Sequence, residues 1–422
     1  MQILILGSGG REHAFAWKLK QSEKCAGLYV APGNGGTAQI AENIQLNLSD
    51  FPALKRFALE KKIDMIVVGP EVPLVEGVYD FFQNDAETKH IIVIGPSKLG
   101  AQLEGSKSFA KYFMQRHHIP TAAFHEFTEK NLEEGFQFIE KNKAPFVLKA
   151  DGLAAGKGVV ITESKTEAKD TLREMISEAK FGDASSKVII EEFLKGIEFS
   201  IFVLSDGSNY VLLPNAKDYK RIGEGDQGLN TGGMGAISPV PFVDDTLMEK
   251  VKTRIIEPTI QGLKAEEIVY KGFIYIGLIL VNDEPYVIEY NCRMGDPETE
   301  IVLPRLENDL VELLNQCAHG KLDEAMVQHN EKHGATVILA SGGYPEAYEK
   351  GKTIHIPEDA DTIVFHAGTK MSDNNLLSNG GRVLAISALG DDLHRALAKA
   401  KNQAENISFE GKYFRRDIGY EF

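Results

Sequence analysis

The stretch from Phe146 to Ile161, FVLKADGLAAGKGVVI, most constrains what this chain can become. An apolar strand delivers Lys149, a Gly/Ala-rich turn follows, and a second strand starts after Lys157 and Gly158. Gly152, Gly156 and Gly158 let backbone N–H groups approach an anion closely, and the two lysines add the charge a polyphosphate needs. A P-loop is excluded by spacing, because that motif requires GxxxxGK, then Ser or Thr, then a helix. Here only three residues separate Gly152 from Gly156, Gly158 stands in the hydroxyl position, and Val159, Val160 and Ile161 are strand formers. A phosphate is therefore held between strands. Taken alone, the same text also suits a glycine-rich β-turn with two surface lysines.

The 422-residue chain has room for several domains at roughly 100–200 residues each. Its formal charge of −15 argues against general affinity for nucleic acid or anionic membranes, so lysines concentrated at one hairpin carry meaning. Cys25, Cys292 and Cys317 are too few and too scattered for a disulfide framework or a zinc site. The start, MQILILGSGG, runs straight into a strand without secretory-signal features, and no apolar run reaches membrane-spanning length. The expected compartment is the cytoplasm.

From Gln2 to about Ser97, apolar strands alternate with amphipathic helices, which predicts a parallel α/β sheet. A helix over Ser106 to His117, the hairpin, a helix over Glu167 to Glu178 and KVIIEEF predict an antiparallel-rich α+β middle portion. Two further hairpins turn at Asp206–Gly207 and at Asn282–Asp283. Helices are expected over Asp309 to Gly320 and Lys321 to His329. GATVILAS, KTIHI, DTIVFHAG, GRVLAISALG and a helix from Leu393 then predict a small C-terminal α/β unit.

GSGGRE (Gly7 to Glu12) partly matches a dinucleotide fingerprint, but Glu12 stands where a small residue would pack and no acid follows at the ribose spacing. A nicotinamide cofactor is discounted; a glycine turn at a helix N-terminus, suited to a small anion, survives. PGNGGT and GPEVPL should share its crevice. Glu191 and Glu192 end a strand and Glu198 follows a turn, an arrangement suited to adenine and ribose hydroxyls, or alternatively a solvated face. NAKDYKRIGEGDQGLNTGGMGA, with Lys217, Asp218, Lys220 and Arg221 at its start, is expected to be mobile when empty and to close over substrate. Glu289 and Asn291, at i and i+2 of a strand end, point one way and offer hard oxygen donors suited to Mg²⁺.

Taken together, KADGLAAGKGV, EEF with Glu198, the KDYKR to TGGMGA loop and IEYNCRMGDPETE resemble an ATP-grasp ligase. GSGGREHA, APGNGGT, VGPEVPL, NTGGMGA, NCRMGDPET, FHAGT and NGGRVL narrow the resemblance to the phosphoribosylamine-glycine ligases. The resemblance implies an N-terminal domain over 1–106, an ATP-grasp domain over 107–333 with a mobile lid at about 120–186, and a C-terminal domain over 334–422. It implies ATP with Mg²⁺ or Mn²⁺, and glycine and 5-phosphoribosylamine as substrates in purine biosynthesis, with transient contact to neighbouring pathway enzymes. Lys107, Lys149, Gly156, Lys157, Gly158, Glu191, Glu192, Phe193, Glu198, Lys220 and Asn230 would face the nucleotide, and Glu289 and Asn291 the metal. Arg293, Lys217 and Asp218 would be catalytic. Gly9, Asn34, Glu71, Thr231, Gly232, Gly233, Met234, Gly235, Asp296 and Pro297 would hold substrate. The neighbouring reading is another ATP-grasp ligase or carboxylase acting on a purine-pathway intermediate.

Overall fold

The computed structural model describes residues 1–153, 158–177 and 187–422. Strand Gln2–Gly7 lies between strands Gly27–Pro32 and Met65–Val68, parallel to both, with Glu42–Asn43 and Ile92–Pro96 outside them. Both faces are covered, so the central strand reads as continuously apolar. Ile3 and Ile5 enter one hydrophobic core while Leu4 and Leu6 enter another, as the two-residue period of a strand requires. Chain order reverses between Gln2–Gly7 and Met65–Val68, which opens a crevice at their carboxyl ends.

The sheet continues into the middle of the chain. Tyr270–Val281 pairs antiparallel with Ile92–Pro96 through Tyr270–Pro96 and Lys271–Gly95, then with Ile197–Ser205 and Glu284–Asn291. The hairpin turn falls on Asn282 and Asp283, both left-handed at φ 50° and 63°, a pair of residues that tolerates that conformation.

The nucleotide hairpin belongs to a separate four-stranded sheet in the order Phe124–Thr128, Lys187–Glu192, Phe146–Ala150, Val159–Thr162. Helices Leu132–Lys141 and Lys165–Ser177 cover one face, where Phe146, Leu148, Val188 and Ile190 pack with Leu172 and Met175. Alternation turns Lys149 and Glu191 to the opposite face.

In the C-terminal portion, His333–Ala340, Arg382–Gly390 and Thr362–His366 form an antiparallel sheet carrying helix Leu393–Asn406. That sheet also takes in Lys217–Asp218 and Gly235–Ser238, the two ends of the glycine-rich segment. Two expectations are corrected. The helix over Lys321 to His329 is a single 3₁₀ turn, Leu322–Glu324, after which the chain doubles back and Glu307 N–H bonds Gln328 O at 2.9 Å. KTIHI is no regular strand: Thr353 and His355 make isolated bridges to Leu377 and Ser408.

Candidate active site

Lys149 Nζ lies 2.9 Å from Glu191 Oε2, and Lys111 Nζ approaches the same oxygen at 3.2 Å. All three side chains are buried. Burial disfavours charge on Lys149, but Glu191 outweighs it and holds the amine above its ordinary value. For Lys111 burial wins and pushes it down to about 8. Glu191 thus serves as the anchor that orients Lys149, and its carboxylate is engaged by lysines before any nucleotide arrives. Lys107 opens helix Lys107–Arg116, capped by Ser106, and its Nζ donates to Gly152 O at 3.2 Å. Asp151 ties that helix start to the hairpin by accepting from Ser108 N–H at 2.6 Å. Gly158 O accepts from Ala150 N–H at 2.8 Å; Gly156 and Lys157 lie outside the described residues.

Beyond the strand end, Glu192 N–H bonds Ala123 O at 2.9 Å, and Phe193 is exposed. Glu198, Lys220 and Asp218 form a chain of charges, with Lys220 Nζ 3.1 Å from Glu198 and 2.8 Å from Asp218. Lys220 holds Glu198 below the usual carboxylate range. Asn230 is exposed on the short ladder pairing Gln227–Asn230 with Arg221–Gly223.

Glu289 and Asn291 pair with Gly277 and Tyr275 after a bulge in the ladder, so both leave the same face while Tyr290 enters the core. Among the described residues, neither side chain makes a hydrogen bond or ion pair; burial lowers Lys107, with nearby Glu289 opposing it, and Glu289 adds to Glu191 in raising Lys149. No cluster of three or more His, Cys, Asp or Glu suited to a metal occurs among the described residues. One carboxylate and one amide oxygen leave most of a coordination shell to phosphate oxygens and water, a donor set that fits a hard divalent cation.

Arg293 is held by Glu104, Nη2 to Oε1 at 2.8 Å, with Nε 3.6 Å from Glu71 Oε2. Burial opposes ionisation of Glu71, but Arg293 and Arg11 outweigh it and keep the carboxyl below its usual range. Glu104 also accepts from Cys292 N–H at 2.8 Å. Sequence reasoning missed Glu104 and Lys111, each on a helix whose text carries no motif.

At the crevice, Gly9 N–H donates to Glu12 Oε2 at 2.6 Å, so a carboxylate of the chain itself takes one donor of this helix start. A Cβ on Gly7 or Gly69 would come within 2.4 or 2.0 Å of the Glu12 side chain, which explains both glycines. PGNGGT does share the crevice: Asn34 Nδ2 donates to Ser8 O at 2.9 Å and His366 O at 2.6 Å. Asn34 Oδ1 accepts from Gly36 and Thr37 N–H at 2.9 and 3.0 Å. Its side chain is consumed in building the loop.

The glycine-rich segment is exposed from Glu224 to Asn230 and packed from Gly233 onward. Gly232 N–H reaches the Tyr344 hydroxyl at 3.1 Å, and Thr231 Oγ1 bridges Lys220 O and Gly233 N–H at 2.8 and 2.9 Å. Met234 is fully buried, with its N–H on Tyr219 O at 2.7 Å, while Gly235 lies in the sheet under Thr336 and Ile418. These two support the loop from beneath. Lys217 faces away from Asp218: its Nζ pairs with Glu421 Oε1 at 3.1 Å and lies over the Tyr219 ring. Asp296 and Pro297 face Gly9 and Gly233, whose added Cβ atoms would fall 3.3 Å from Asp296 Oδ2 and 2.4 Å from Pro297 Cδ.

Residues 1–104, 105–299 and 334–421 match the N domain, the ATP-grasp (A) domain and the C domain of phosphoribosylglycinamide synthetase. A phosphoribosylamine–glycine ligase of Haemophilus influenzae is 47% identical over 426 residues, covering 100% of this chain and 98% of that protein. Its Vibrio cholerae namesake is 46% identical at the same coverage. The crystal structure of the Thermotoga maritima phosphoribosylamine–glycine ligase superposes with a TM-score of 0.86 at 37% identity, over 99% of this chain and 100% of that one. A biotin carboxylase of Campylobacter jejuni shares the fold, with a TM-score of 0.74 at 18% identity over 99% of this chain and 93% of that one. The chain belongs to the phosphoribosylglycinamide synthetase family of ATP-dependent ligases.

Proposed function

We propose that the chain joins glycine to 5-phosphoribosylamine through glycyl phosphate, giving glycinamide ribonucleotide, ADP and phosphate. The observation that carries this reading is Lys149, fixed by Glu191 on the lid face and electrostatically coupled to Glu289. Lys149 and Lys107 offset phosphate charge while a glycine carboxylate oxygen attacks the γ-phosphorus and ADP leaves. Glu289 and Asn291 would hold Mg²⁺ or Mn²⁺, which supplies further charge neutralisation at the transferring phosphoryl. The ribosylamine nitrogen then attacks the carbonyl carbon, forming the C–N bond; the C–O bond to phosphate breaks, and the amine proton passes to solvent or a neighbouring carboxylate. Arg293, anchored by Glu104, would stabilise the oxyanion of that step. Asp218, tied to Lys220, belongs to the lip around the acyl group, and Glu71, Asp296 and Pro297 line the amine side.

The working division is a domain over 1–106, an ATP-grasp domain over 107–333 with its lid at about 120–186, and a C-terminal domain over 334–422. No helix among the described residues is long and apolar enough to cross a membrane, and we assign the enzyme to the cytoplasm. An ADP-release assay tests the reading. ADP should appear with glycine and freshly made phosphoribosylamine together; release that ignores both, or that needs bicarbonate instead, contradicts it.

A further inference from the structure

We infer that Arg382, at the head of strand Arg382–Gly390, is a positioning residue that locks the glycine-rich lip to the Asp296–Pro297 turn for capture of the amine substrate. The inference rests on the ligation reading above. NGGRVL otherwise has no task in that mechanism. Arg382 Nη1 donates to Gly232 O at 2.7 Å and to Asp296 O at 3.0 Å, with Gly233 O at 3.4 Å. It also pairs with Asp296 Oδ1 at 2.9 Å. One guanidinium from the C-terminal sheet thus gathers backbone oxygens of two segments distant in sequence, and a carboxylate whose other oxygen faces the Gly9 turn.

The glycines of the lip are fitted to this clamp. A Cβ on Gly232 would sit 2.9 Å from Arg382 Cζ, and Gly233 has φ +114° with its Cβ position 2.4 Å from Pro297 Cδ. Close approach, not looseness, is what these glycines provide. All of these contacts come from one nitrogen, Nη1; a lysine would keep the charge, but its ammonium ends one bond short of that position. Arg382 makes no hydrogen bond or ion pair to Lys149, Glu191, Lys111 or Lys107. The consequence of its loss should therefore fall on the amine side and spare the nucleotide side.

Steady-state kinetics of full-length R382A and R382K test this. Both should lose kcat/KM for phosphoribosylamine, about 100-fold for R382A as for a site displaced by about an ångström. ATP affinity should stay at the wild-type value, whereas the thermal midpoint of R382A should fall because Asp296 loses its partner. Near-wild-type kcat/KM for the amine in R382K overturns the inference, as does a loss in R382K that falls equally on ATP affinity. If R382A does not fold, R382K alone decides between these outcomes. Wild-type protein that releases no ADP with both substrates would defeat the ligation reading itself, whereas an active wild type with an indifferent R382K defeats only the role of Arg382.

Discussion

Glu191 Oε2 sits 2.9 Å from Lys149 Nζ and 3.2 Å from Lys111 Nζ, so one buried carboxylate orients two buried ammonium groups on the lid face. Two cations against one anion leave positive charge where a polyphosphate would lie. K149M removes the better placed cation and should weaken ATP binding by about tenfold or more, as loss of a charge-assisted contact worth about 1.5–3 kcal/mol. Calorimetric titration with ATP checks this; an unchanged Kd contradicts it. E191Q should weaken binding as well, because it removes the charge that pairs with both lysines.

E289Q keeps the shape of the proposed metal ligand and removes its charge. Turnover should fall about 100-fold or more if that charge is preorganised at the transferring phosphoryl. Measurement at saturating Mg²⁺ checks it, and near-normal turnover there contradicts the metal assignment.

A pH dependence follows from the joint between the N-terminal and C-terminal portions. His13 Nδ1 accepts from His366 N–H at 2.8 Å and must be unprotonated to do so. Burial, reinforced by His366, lowers His13 to about 3, and burial lowers His366 to about 4. Both pKa values are depressed in the fold, so the stability they confer is present above the unfolded histidine value and is lost as pH falls from there. At about pH 5 the loss should be roughly 2 kcal/mol per histidine. Urea unfolding of wild type and H13Q/H366Q at neutral and acidic pH checks this; identical pH slopes contradict it.

Local chemistry was the legible part of the sequence. The Asn282–Asp283 turn, the shared face of Glu289 and Asn291 and the strand pairing around Lys149 all follow from periods of two and from turn residues. Partnerships across long sequence separations were not legible. Glu191 reads only as a strand-end acid near the nucleotide, and its pairing with Lys111 was hidden because that lysine comes from a helix 80 residues earlier in the numbering. Asn34 looked like a substrate contact, yet its amide is saturated by its own loop and by the His366 carbonyl. The segment ending in TGGMGA reads as mobile when empty, and the residues that approach its Gly232 and Gly233, Arg382 and Pro297, lie far off in sequence and were not legible. Lys217 and Asp218 read as one catalytic group, but strand alternation sends Lys217 to Glu421.

The central claim is the acyl phosphate, and oxygen tracing tests it most directly. With glycine carrying ¹⁸O in its carboxylate, the oxygen that attacks the γ-phosphorus leaves with phosphate when the amine displaces it. Mass spectrometry of the inorganic phosphate from a turnover with phosphoribosylamine should find one ¹⁸O per phosphate formed from fully labelled glycine. Phosphate without the label would contradict the glycyl phosphate route.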